Sequence, residues 1–260
     1  MTEYNTLKVR MIGNLCEIAL NRPEKMNAIN TKMRLELSSV VSEVSSDKNA
    51  RVIILKGIGK AFSAGADVSE FIGRKSGNAA SSTIMRNLLR SLENAPQPTI
   101  AQISGYALGG GLELAMSCDL RIASQDAEMG LTEVNLGMIA GAGGTQRLPR
   151  IVGVPKAKEL VFLGSRISAS EAEKIGLVHH VVPSDQLEDY VRNLAEKISE
   201  KAPIALAAAK AAMNKVWEST DLDSGLLWER SMSDLCAETQ DRQEGLVAFS
   251  EKRKPNFKGV

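Results

Sequence analysis

The chain has 260 residues, 43% of them hydrophobic and 24% charged, a balance that suits a globular protein and excludes the disordered, collagenous and disulfide-dense classes. With 32 basic against 31 acidic residues the net charge is +1, so a broad electrostatic footprint for nucleic acid or an anionic membrane is absent, and no apolar run reaches the roughly 20 residues of a spanning helix. Cys16, Cys118 and Cys236 are far apart and lack metal-ligand spacing, which predicts reduced, packed thiols and no metal; with the polar, acidic start Met1-Thr2-Glu3-Tyr4, the sequence reads as cytoplasmic.

Residues 8–12 and 15–20 alternate in polarity around Gly13-Asn14, a two-residue hairpin turn. Asn30-Thr31 offers a cap to a helix with Met33, Leu37, Val40, Val41 and Val44 on one stripe. Residues 52–55 form a buried strand that leads through Gly57-Ile58-Gly59-Lys60 into the small-residue run Ala61-Phe62-Ser63-Ala64-Gly65-Ala66-Asp67-Val68. Residues 73–82 read either as a plain connector or as an active-site lid. Residues 99–104 make another strand, which leads into Gly109-Gly110-Gly111, and Leu112, Leu114, Ala115 and Met116 then suit a buried helix.

Further strands are expected at 120–123 and 178–182, with a capping box, Ser168-Ala169-Ser170-Glu171, opening a helix that stops near Gly176. Leu187, Val191, Leu194 and Ile198 mark an amphipathic helix. Residues 204–250 carry two or three helices and no strand signal. Short strands separated by helices predict an α/β layer architecture, a catalytic core over 1–200 followed by a helical assembly region over 201–260.

The two small-residue loops are where chemistry is expected. Glycine lets main-chain N–H groups approach a ligand, and the first turn of a helix leaves its N–H groups unpaired and partly positive. Such a site favours an oxygen on which negative charge gathers, and Glu113 follows one turn later as an acid–base group. Three glycines before a helix also serve tight packing of helix on strand, so the local pattern alone leaves both readings open. Dinucleotide and P-loop readings fail: Gly57-x-Gly59 lacks its third glycine, and Gly59-Lys60 lacks both the upstream glycine and the following Ser or Thr. No Gly-x-Ser-x-Gly elbow occurs, and His179 and His180, the only histidines, sit in a strand-like run where a structural role is expected.

Ala64-Gly65-Ala66-Asp67 and Gly105-Tyr106-Ala107-Leu108-Gly109-Gly110-Gly111-x-Glu113 together resemble the enoyl-CoA hydratase/isomerase, or crotonase, superfamily. Three more segments extend the resemblance over nearly the whole chain: Asn21-Arg22-Pro23-Glu24-Lys25-Met26-Asn27-Ala28, Gly141-Ala142-Gly143-Gly144-Thr145-Gln146-Arg147-Leu148, and Ala248-Phe249-x-Glu251-Lys252-Arg253. The resemblance implies a right-handed spiral of ββα units, assembly into trimers or hexamers through the helical tail, and an acyl-CoA substrate with no separate cofactor, coenzyme A being part of the substrate.

By the same resemblance, the backbone N–H groups of Ala66 and Gly110 form an oxyanion hole. Glu113 and Glu133 flank one water, Glu113 activating it and Glu133 exchanging a proton with C2. Lys25, Met26, Ala28, Ala64 and Asp67 would line the coenzyme A site, and Phe249 and Lys252 would reach in from the C-terminal helix of the same or a neighbouring subunit. Having both glutamates favours an enoyl-CoA hydratase over a Δ3-Δ2-enoyl-CoA isomerase, which remains the alternative. Gly130-Leu131-Thr132-Glu133 lacks the Gln-Pro common in straight-chain hydratases and, with Leu112 and Gln146-Arg147-Leu148-Pro149-Arg150, looks more like the 3-methylglutaconyl-CoA hydratase subgroup. Some members of that subgroup bind RNA through a lysine-rich helix. Here the matching helix, residues 31–46, has only Lys32 and Arg34 as basic residues, so nucleic-acid binding is not favoured.

Overall fold

A computed structural model describes residues 4–72 and 79–260, without the side chains of residues 79–82. Residues 1–3 and the connector over 73–82, apart from the backbone of its last four residues, lie outside the described residues. The Gly13-Asn14 turn folds β1 (Leu7–Ile12) antiparallel onto β2 (Leu15–Leu20), with Gly13 at φ +60° as such a turn requires. Asn30 caps α1 (Thr31–Ser45), its side-chain oxygen accepting a hydrogen bond from Met33 N at 2.9 Å, and the expected stripe from Met33 to Val44 is buried.

The chain then makes three similar turns of strand, strand and helix. The first comprises β3 (Val52–Gly57), β4 (Ala61–Ser63) and α2 (Ala79–Glu93), the second β5 (Thr99–Ile103), β6 (Tyr106–Leu108) and α3 (Gly110–Met116). The third comprises β7 (Leu120–Ser124), β8 (Glu128–Gly130) and α4 (Gly144–Val152). After α5 (Val154–Leu163), a closing turn adds β9 (Ile167–Ser168), α6 (Ala169–Lys174) and β10 (His180–Val182). The first strand of each of these three turns joins one sheet, ordered β1-β2-β3-β5-β7-β10, and the second joins a smaller sheet, ordered β4-β6-β8-β9; the closing turn reverses this, β9 joining the small sheet and β10 the large one. Successive turns therefore stack in parallel, β3 on β5 on β7 and β4 on β6 on β8.

This corrects one reading of the sequence. Residues 99–104 do not run straight into the three glycines: Gly105, at φ +59°, turns the chain out of the large sheet, and Tyr106–Leu108 crosses the small sheet first. A side chain at Gly105 would collide with the Lys60 carbonyl, the matching corner of the preceding turn, so only glycine fits. The strand expected over 178–182 likewise starts two residues later, at His180.

Burial follows the two-residue period of the strands. Ile53 and Leu55 of β3 face the main core beneath α1–α6, whereas Val52 and Ile54 face a second cluster with Ile100 and Ile122. That second cluster is closed by Leu187, Val191 and Ala195 of α7 (Leu187–Ser199), so β3 is apolar on both faces, as a covered parallel strand should be.

Three helices follow, α8 (Pro203–Asn214), α9 (Leu222–Ala237) and α10 (Gln240–Ser250). No residue of α9 is buried, and Leu222 and Leu227 are 75% and 70% exposed. The last residues fold back along the chain, where the Phe257 carbonyl accepts from Arg51 Nη2 at 2.8 Å and Asp241 accepts from the Lys258 and Gly259 amides. Among the described residues, no helix is long and apolar enough to cross a membrane.

Candidate active site

Because β4, β6 and β8 are adjacent and parallel, the loops that follow them emerge side by side on one edge of the small sheet. Ala66 follows β4, Gly109-Gly110-Gly111 and Glu113 follow β6, and Glu133 follows β8. The topology thus gathers residues spread over more than sixty positions of sequence.

The Ala64–Ala66 loop is held from behind by residues 22–29. Asn27 is fully buried, and its side chain donates to Ile58 O at 3.0 Å and Ala61 O at 2.8 Å while accepting from Arg22 N at 2.8 Å. Ala64 N donates to Met26 O, Ile29 N to Gly65 O and Asp67 N to Ile29 O, so each amide around Ala66 is paired within the chain. Asp67 itself accepts from Ser69 and from Arg22, at 2.9 Å in the latter case. The Ser69 hydroxyl, with the Arg22 guanidinium behind it, holds the Asp67 carboxyl below its ordinary range.

The amides of Ala66 and Gly110 donate to no group among the described residues. They lie close together: a Cβ on Gly110 would be 3.5 Å from Ala66 N. Gly65, at φ +100°, permits this approach, since a Cβ there would come within 2.7 Å of Leu108 O and 3.4 Å of Gly110 N. Two donors this close together and without a partner among the described residues, one of them at the start of a helix, are of the kind that suits an oxygen gaining negative charge.

Both glutamates stand beside these donors. Glu113 is 3% exposed, and its Oε1 accepts from Ala142 N at 2.8 Å and from Gly144 N at 2.7 Å, whereas Oε2 lies 3.9 Å from the point a Gly110 side chain would occupy. Burial raises the Glu113 carboxyl, opposed by those two amides and by the charge of Arg147. Glu133 begins a short 3₁₀ turn, and its Oε2 is buried without a hydrogen-bond partner. Burial, reinforced by the nearby Glu113 charge, pushes its carboxyl up to about 7. One carboxyl has an oxygen tied by two amides and the other has an oxygen buried without a partner, so the two glutamates are unlike.

The remaining expected contacts are placed less closely. Lys25 and Met26 are exposed, Met26 with Asn27 in the left-handed region at φ 48° and 55°, and Ala28 and Ala64 are partly buried beside the loop. Phe249, 86% exposed, and Lys252, exposed at φ 56°, lie at the end of the last helix. His179 accepts a hydrogen bond from Arg121 N and His180 packs on Tyr190, both away from the loops. Among the described residues no group of three or more His, Cys, Asp or Glu is placed to hold a metal ion. A cavity of about 370 Å³ lies behind the Ala142-Gly143 backbone, lined by Arg86, Arg90, Arg147, Arg150 and Trp217 but by neither glutamate. Arg147 pairs with Glu93, 54 residues away, and no local sequence pattern marks that contact.

Residues 10–260 match the family model described as Enoyl-CoA hydratase/isomerase. The chain belongs to the enoyl-CoA hydratase/isomerase family. Among relatives in this family, the short-chain-enoyl-CoA hydratase of Clostridium acetobutylicum is 40% identical over 254 residues, covering 97% of each chain. The crotonyl-CoA hydratase of Syntrophomonas wolfei is 41% identical over 257 residues and 98% of each. A crystal structure of enoyl-CoA hydratase from Bacillus anthracis, 42% identical, aligns with a TM-score of 0.95 over 98% of this chain and 100% of the other. The stacked ββα turns are therefore those of the crotonase fold.

Proposed function

We propose that the chain is an enoyl-CoA hydratase, adding water reversibly across the 2,3 double bond of a 2-enoyl-CoA thioester. The observation that carries the reading is the meeting of two unlike glutamates with two unpaired amides on one sheet edge. The Ala66 and Gly110 amides bind the thioester oxygen and draw charge onto it, which leaves C3 electrophilic. Water oxygen then bonds to C3, Glu113 takes a proton from that water, and Glu133 gives its proton to C2. The pair holds one proton before and after the step, and the reverse reaction uses the same groups in exchanged roles.

Coenzyme A is part of the substrate, and the strip formed by Lys25, Met26, Ala28, Ala64 and Asp67 borders the loop that would receive its thioester end. The names of the relatives above support a short acyl chain, and the Leu131-Thr132 pair before Glu133 supports a branched one such as 3-methylglutaconyl. The exposed apolar residues of α9 support a homotrimer or a hexamer of paired trimers, in which Phe249 and Lys252 serve a neighbouring site.

A panel of crotonyl-, longer enoyl- and 3-methylglutaconyl-CoA, followed by loss of enoyl absorbance, tests the reading. Turnover of at least one thioester with water incorporated is expected. Movement of a 3,4 double bond to the 2,3 position without water would replace it with the isomerase reading, and salt-sensitive RNA retention without turnover would replace both.

A further inference from the structure

We propose that Arg147, clamped by Glu93, is a positioning residue that fixes the loop from which Glu113 hangs. The inference rests on the catalytic reading of Glu113. Glu113 is not held by its own helix alone: both hydrogen bonds to its Oε1 come from the loop entering α4, from Ala142 N at 2.8 Å and Gly144 N at 2.7 Å. Gly143, between them, takes φ +120°, so this segment has the wide freedom of a glycine pair and nothing intrinsic sets its angle. Something outside the loop has to choose one conformation.

Arg147 does so from the far side. Its Nη1 donates to Ala142 O at 3.1 Å, so the peptide whose N–H reaches Glu113 is followed at once by a carbonyl held by the guanidinium. Nε and Nη2 meet the two oxygens of Glu93 at 2.7 and 2.8 Å, a fork-on-fork pair that fixes the plane of the guanidinium. Glu93 is the last residue of α2 and Arg147 lies in the first turns of α4, so the clamp ties the loop to two rigid helices. The guanidinium packs so closely on Gly143 that a Cβ there would lie 3.1 Å from Cζ. Both side chains are partly buried, 13% and 32% exposed, where such a pair is better shielded than at an open surface. The positive charge also faces Glu113 through the loop and favours its ionised form.

Lysine cannot replace this function in full. An ammonium reaches Glu93 or Ala142 O as a point charge, without the planar fork that links the two. Loosening the loop displaces the water-activating carboxylate by a fraction of an ångström while leaving the coenzyme A strip untouched, and small misplacements of a reacting group cost rates up to about 10²-fold.

The test compares steady-state kinetics of wild type, Arg147→Met, Arg147→Lys and Glu93→Gln on crotonyl-CoA, with Glu113→Gln as the reference and circular dichroism and thermal unfolding on every sample. Arg147→Met should lower kcat about 10–100-fold with KM within about twofold, Arg147→Lys should fall between it and wild type, and Glu93→Gln should lower kcat about 3–10-fold. If Arg147→Met fails to fold, Glu93→Gln decides on the same split. Wild-type kcat in a folded variant, or a change confined to KM, overturns the proposal. Full activity in Glu113→Gln would instead overturn the catalytic reading on which it rests.

Discussion

The Glu133 carboxyl lies against the backbone of Gly109: a Cβ at that position would come within 2.9 Å of Oε1 and 3.3 Å of Cδ. The first of the three glycines therefore makes room for one glutamate, the second leaves its amide free beside Ala66, and the helix they begin carries the other glutamate. At Gly109 the φ of +49° adds a backbone reason for glycine.

If the two carboxyls share the work as proposed, Glu113→Gln and Glu133→Gln should each keep the fold and acyl-CoA binding and lower kcat on the order of 10²–10⁴-fold. Stopped-flow hydration of crotonyl-CoA beside a binding titration separates the two effects. Turnover at the wild-type rate would remove that residue from the mechanism.

The pH dependence follows from the single shared proton. Only the singly protonated pair reacts in either direction, so kcat/KM for hydration and for dehydration should trace the same bell, with the alkaline limb near the pKa of about 7 at Glu133. A flat profile from about pH 6 to about pH 9 would contradict this assignment.

Stability should carry the same imprint. The folded state holds the Glu133 proton up to about 7 whereas the free carboxyl releases it near 4.5, so this group's contribution is present below the lower value and is lost as pH rises through the higher one. At about pH 8, Glu133→Gln should be more stable than wild type by about 1–2 kcal/mol, allowing for partial solvent screening, with the advantage gone near pH 4. Denaturant unfolding at the two pH values measures it, and an equal advantage at both would refute the linkage.

At Gly110 the backbone is not strained, and an added Cβ would meet Ala66 N at 3.5 Å, an ordinary contact that nevertheless fills the space between the donors. Gly110→Ala should accordingly fold like wild type and lose about 10²–10³ in kcat, with Gly110→Val at least as impaired. A fully active Gly110→Ala enzyme would exclude the proposed oxyanion hole.

Assembly is best probed by point changes, because cutting the chain at Gly245 would also remove the Arg51–Phe257 hydrogen bond and the Asp241 contacts that fasten the last residues. Leu222→Glu with Leu227→Glu should leave the core intact and shift a trimer or hexamer toward monomer, weakening acyl-CoA binding if Phe249 and Lys252 serve a neighbour. Light scattering at several concentrations reads the mass. A wild-type monomer with full activity would set the assembly proposal aside.

Elements with a long period or a cap were legible in the sequence: the hairpin at Gly13-Asn14, the α1 stripe behind Asn30, and the Ser168 cap whose hydroxyl accepts from Glu171 N. The small sheet was not, because its strands have two or three residues, too few for an alternation to register. In the sequence only motif resemblance links Glu113, Glu133 and the two amides, since no local pattern joins residues that meet only at the edge of that sheet. The Glu93–Arg147 clamp and the bracing by Asn27 were invisible for the same reason: each is a contact between segments far apart in the chain, made by residue types that are ordinary on any surface.

The parallel stacking of β4, β6 and β8 has a consequence for how such a chain can change. Each strand ends in its own loop, but the loops are coupled: the one after β6 carries the Gly110 amide and Glu113, and the one after β8 carries Glu133 together with the Ala142 and Gly144 amides that hold Glu113. A change in the length of either loop therefore moves more than one of these groups, while the parallel pairing of the strands beneath is left intact.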